Sequence, residues 1–76
     1  MPPTSFQIER TKTDHPVCYD VIALDDKGRR LFATLEYDEK FLVLKRNGQP
    51  IEFFESFLEL SKYLITLYGG PVLIEH

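Results

Sequence analysis

Cysteine is nearly absent from this 76-residue chain: Cys18 stands alone, so no intramolecular disulfide can form. Secreted domains of this size usually rely on such staples, so a reducing, cytoplasmic setting is expected. Long apolar runs are also missing. Each is broken by Glu, Ser, Lys or Thr well short of the ~20 residues of a membrane-spanning helix, so no membrane partner is expected. Met1-Pro2-Pro3-Thr4-Ser5-Phe6 lacks the basic and then apolar stretches of a secretion signal. Cations are in deficit, with nine Lys plus Arg against twelve Asp plus Glu and a net charge of −3. That balance argues against a chain whose main partner is a nucleic-acid backbone.

The residues that carry chemistry are sparse too. His15 and Cys18 are three apart, but Pro16 lies between them and Cys18 falls inside an apolar, strand-like run. A free cysteine there reads as a small buried side chain rather than a nucleophile with its base. A metal site needs three or four convergent ligands, and only Asp14, His15, Cys18 and Asp20 are close in sequence, with His76 far away. Asp25-Asp26-Lys27-Gly28 lacks the ligand run of a calcium loop. Gly69-Gly70-Pro71 ends a helix instead of starting one, the wrong geometry for a phosphate cradle. No catalytic residue, cofactor or metal is assigned, and the chain reads as a non-enzyme.

What is present is ordinary globular composition, 43% hydrophobic and 28% charged, enough for one small core and no second. Residues 1–76 read as a single α+β domain, with residues 1–4 frayed because Pro2-Pro3 donates no backbone hydrogen bond. Alternation of Phe6 and Ile8 with Gln7 and Glu9 marks a strand near 5–10. A second strand near 17–25 is apolar on both faces, and so central. Asp25-Asp26-Lys27-Gly28 is a hairpin turn into a third strand near 29–37. In that third strand Leu31, Ala33, Leu35 and Tyr37 point one way, and Arg30, Phe32, Thr34 and Glu36 the other. A fourth strand near 40–46 ends at the turn signal Asn47-Gly48, and Pro50 confines Ile51–Phe53 to a short edge.

The helix is expected near 55–68. Ser56 caps it with Glu59 at capping-box spacing, and Gly69-Gly70-Pro71 stops it. Val72–Ile74 forms a short final strand. Strands first and a helix late indicate a four- to five-stranded antiparallel sheet with the helix packed on one face. The expected core is Ile8, Val21, Leu31, Leu35, Val43, Phe57, Leu60 and Leu64.

At 100° per residue the apolar arc of the helix spans roughly 220°, wider than a surface helix needs. Two explanations fit: the tyrosines and the terminal strand cover the flanks, or the helix meets a partner. The expected function is therefore a small acidic protein-interaction module, an adaptor or inhibitor that occupies a partner protein's surface. Its size and charge suit a phage or mobile-element accessory protein. The candidate interface is Leu58, Tyr63, Ile65, Leu67 and Tyr68, which is also the candidate seam of a homodimer. Asp25, Asp26, Asp38 and Glu39 are candidates for steering a basic partner. The alternative is a single-stranded nucleic-acid binder using Lys27, Arg29, Arg30, Lys45 and Arg46, with Phe32 and Tyr37 as stacking platforms.

Overall fold

The computed structural model describes residues 5–69 and 71–74, with only the backbone of Ile74. The expectation that residues 1–4 fray lies outside the described residues, as do Gly70 and the closing Glu75-His76. In chain order the elements are β1 (Ser5–Lys12), β2 (Val17–Asp25), β3 (Gly28–Tyr37), β4 (Leu42–Lys45), β5 (Glu52–Phe54), α1 (Phe57–Tyr68) and β6 (Val72–Ile74). The strands form one sheet in the order β5-β4-β3-β2-β1-β6. The α+β class expected from the sequence is the one found.

The strand count and direction need correction. The described residues form six strands, and β6 runs parallel to β1 while every other neighbouring pair is antiparallel. The helix explains the direction. It leaves β5 at one edge and runs back across the sheet, so the strand that follows it must run the same way as β5, and therefore as β1. Twelve helical residues cover about 18 Å, enough to carry the chain over most of the sheet. The backbone N–H of Phe6 donates to the carbonyl of Pro71 at 2.9 Å, where this last pairing begins.

Both helix ends follow their sequence signals. Ser56 Oγ accepts from the Glu59 N–H at 3.3 Å. Glu59 Oε2 reaches back to the Glu55 N–H at 3.0 Å, one residue earlier than in the usual capping box. Gly69 adopts φ 75°, where a Cβ would crowd the backbone, and donates to the Ile65 carbonyl at 2.7 Å.

One face of the sheet and the helix enclose the core: Phe6, Ile8, Val21, Ala23, Ala33, Leu35, Leu42, Leu44, Phe54, Leu60 and Leu64. Burying Leu60 and Leu64 completely contributes about 1.5–3 kcal/mol each. Five of the eight expected core residues lie in this set. Phe57 is half-buried at its margin, edge-on to Tyr19 at 5.3 Å.

Leu31 and Val43 are corrections. Ala33 pairs with Val21, but Leu31 pairs with the next residue, Ile22, so Phe32 is the extra residue of a β-bulge. The bulge reverses the alternation of β3. Phe32 turns toward the helix and packs edge-on against Phe6 at 5.0 Å and Tyr68 at 5.2 Å. Leu31 turns to the opposite face and is 60% exposed. In β4 either parity is apolar. Pairing of Leu44 with Leu35 and of Leu42 with Phe54 sends those two leucines inward and leaves Val43 half-buried on the outer face.

Candidate functional site

The face of the sheet turned away from α1 has no layer over it among the described residues. Register places its side chains in rows. Leu73, Gln7, Ile22 and Leu31 lie side by side across β6, β1, β2 and β3. Cys18, Glu36, Val43 and Phe53 cross β2, β3, β4 and β5. Leu73 is 62% exposed and Phe53 65%. Phe41, just before β4, meets the Phe53 ring edge-on at 6.4 Å. Two ion pairs lie among these apolar side chains, Arg29 with Glu9 at 2.7 Å and Lys45 with Glu36 at 3.1 Å. The surface is therefore apolar patches separated by two ion pairs and the Asp20 carboxylate.

The helix residues expected to form the interface do not share one patch. Tyr63 packs on Phe54 at 5.1 Å, and burial, then the nearby Glu52 carboxylate, pushes its phenol above the ordinary value. Tyr68 sits edge-on to Phe6 and Phe32, and its hydroxyl accepts from Arg46 at 3.0 Å. Both tyrosines thus belong to the margin of the core. Leu58 and Ile65 are exposed on one side of α1, while Leu67 is exposed beside Leu60, more than ~150° around the axis from both at about 100° per residue. Leu60 and Leu64 face the sheet.

The acidic candidates separate as well. Asp25 and Asp26 lie at the β2–β3 turn, and Asp38 and Glu39 at the opposite end of β3. Asp25 accepts from the Lys27 N–H at 2.8 Å and pairs with Arg30 at 2.9 Å. Asp38 accepts from the backbone of Phe41 at 3.1 Å and Lys40 at 3.3 Å, and these amides hold its carboxyl below the usual value. Both side chains build their own turns.

The basic residues of the nucleic-acid alternative are mostly neutralised. Arg29, Arg30 and Lys45 each have a carboxylate partner. Phe32 offers no open ring, because the Arg46 guanidinium lies 3.9 Å from its centroid. Tyr37 sits at the far end of β3 and donates to the Glu39 carbonyl at 3.4 Å.

His15 is exposed, and Cys18 is half-buried with its Sγ 3.5 Å from the Pro16 carbonyl. Among the described residues, no three His, Cys, Asp or Glu side chains come together in a way that could hold a metal ion. No helix of the described residues is long and apolar enough to cross a membrane.

Sequence reasoning missed Leu31, Phe41, Phe53 and Leu73 as surface residues. Charges at Glu9, Asp20, Glu36 and Lys45, all on one face, were the available signal. Ile22 and Val43 interrupt it. Family models, curated proteins and solved structures were compared with the chain, and none matches it.

Proposed function

We propose that this chain is a non-enzymatic protein-interaction module, an adaptor or inhibitor that acts by covering part of another protein's surface. The observation that supports this reading is the outer face of the sheet, where Leu31, Phe53, Phe41 and Leu73 stand in water around two self-neutralised ion pairs. Leaving such side chains exposed gains a lone domain nothing, while covering three of them fully would contribute several kcal/mol before the cost of association. Paired charges inside the patch give register and discriminate between partners without making the surface attractive to polyanions.

The test is co-purification from cells that make the protein, with wild type and two surface variants run together. Leu31→Asp with Phe53→Asp is expected to lose the retained protein. Leu58→Asp with Ile65→Asp is expected to keep it. A wild-type chain that retains no protein above the level of an unrelated acidic domain would sink this reading.

A further inference from the structure

β4 is much shorter than β3, and this leaves a strand edge open. Its ladder with β3 runs from Tyr37↔Leu42 to Thr34↔Lys45 and stops. The chain then turns away: the Gln49 N–H donates to the Arg46 carbonyl at 3.1 Å, Gly48 takes φ 77°, and pairing with β5 resumes only at Glu52. Gly28–Ala33 of β3 therefore has β2 on one side and, among the described residues, no strand on the other. On either side of the bulge at Phe32, the outward backbone N–H and C=O groups of this edge have no strand partner among the described residues, a template for one more strand.

A groove of about 430 Å³ lies beside that edge, lined by Leu31, Phe32, Thr34, Lys45 and Arg46 among others. Arg46 is its distinctive wall. Arg46 is half-buried, its guanidinium stacked 3.9 Å over Phe32 and held at 3.0 Å by the Tyr68 hydroxyl. Arg29, Arg30 and Lys45 all have carboxylates within ion-pair distance, whereas none lies within that distance of Arg46 among the described residues. A partly desolvated, pre-oriented guanidinium with donors to spare matches a carboxylate in the planar, two-point geometry that arginine favours.

We infer that the Gly28–Ala33 edge and this groove capture an extended peptide segment of another protein, its backbone adding to the sheet and an Asp or Glu side chain pairing with Arg46. This deepens the interaction-module reading and rests on it. Two other occupants fit less well. A single-stranded nucleic acid would need an open aromatic platform, and Arg46 already covers Phe32. A second copy pairing through the same edge would offer Gly28–Ala33, which holds no Asp or Glu for Arg46 to pair with.

The probe is a random twelve-residue peptide library displayed on phage and selected on the folded chain, followed by amide shift mapping with the selected peptide. The expected peptides alternate apolar residues around one Asp or Glu, and they shift the amides of residues 29–33 and the Arg46 side chain. Replacing the acidic residue by its amide is expected to weaken binding at least tenfold. Arg46→Lys, which keeps the charge but loses the two-point fork, is expected to weaken the acidic peptide similarly and the amide peptide little. N-methylation of one alternate set of peptide amides should abolish binding, and methylation of the other set should leave it.

Selection of no peptide, or of peptides without an acidic residue, overturns the proposal. So do shifts confined to α1, and concentration-dependent shifts at residues 29–33 without peptide, which would indicate self-pairing. Equal occupancy of the edge by an oligothymidine that dissociates steeply with salt would also overturn it. Peptides or a cellular partner that map to Phe53 and Leu73, indifferent to Arg46→Lys, would remove the edge site while leaving the interaction-module reading intact.

Discussion

The bulge in β3 makes two neighbouring residues exchange their ordinary roles, and a pair of truncations reads that exchange directly. Leu31 is 60% exposed, so Leu31→Ala removes contacts from a side chain that is mostly wet already. Scaled by its buried fraction, the loss is at most about 1 kcal/mol. Phe32 is half-buried but touches more. Its ring meets Phe6 at 5.0 Å and Tyr68 at 5.2 Å, and it carries the Arg46 guanidinium at 3.9 Å. Truncating a fully buried Phe costs about 3–5 kcal/mol, and partial burial reduces that. Edge-on ring pairs contribute about 0.5–1.5 kcal/mol each and the stacked cation a similar amount. Phe32→Ala is therefore expected to cost about 2–4 kcal/mol, a fall in melting temperature of roughly 10–25 °C for a domain this small. Urea denaturation of the two variants at one temperature is the assay. If Phe32→Ala leaves no folded population, Phe32→Leu takes its place, with a loss of about 1–2 kcal/mol. A Leu31 variant that loses as much stability as the Phe32 variant would refute the bulge and restore simple alternation along β3.

Ser56→Ala removes the acceptor for the Glu59 N–H and is expected to lower stability by about 1 kcal/mol, measured by the same denaturation. Gly69→Ala forces a Cβ into a φ of 75° and is expected to cost about 1 kcal/mol, with helix content otherwise unchanged by circular dichroism. Burial keeps the Tyr63 phenol protonated above its usual 10.0. The stability this contributes is complete below 10.0 and falls as pH rises through the higher folded value, so Tyr63→Phe should flatten the alkaline limb of a stability–pH curve. Asp38 behaves in the opposite sense, because the amides of Phe41 and Lys40 favour its carboxylate. Its contribution is complete above the ordinary 3.8 and is lost as pH falls through the lower folded value, so Asp38→Asn should flatten the acid limb.

Signals that act over a few residues were legible in the sequence. Ser56 with Glu59, and Gly69 at the other end, bracket the helix, because caps satisfy backbone groups one turn away. Asp25-Asp26-Lys27-Gly28 closes the β2–β3 hairpin because its φ requirement falls on a glycine, Gly28 at φ 114°. Alternation of Phe6 and Ile8 placed the inward face of β1 correctly. The interface expected on α1 was less legible. Helical periodicity counted apolar residues around the axis, but Tyr63 and Tyr68 were already engaged by Phe54, Phe6 and Phe32 from distant strands.

Tertiary structure alone decided the parity of β3 and β4, the direction of β6 and the open edge. Parity is ambiguous where both faces are apolar, and one inserted residue, Phe32, reverses it without any local turn signal. The direction of β6 follows from where the helix crosses, a matter of which sheet edges are free. The edge at Gly28–Ala33 exists because β4 stops pairing at Lys45, and a strand's length is set by its neighbour as much as by its own residues. Capping and turn residues determine local structure through contacts within about one turn. Which side chains meet water depends on pairings between residues far apart in sequence, and those are settled only when the whole sheet and its helix pack together.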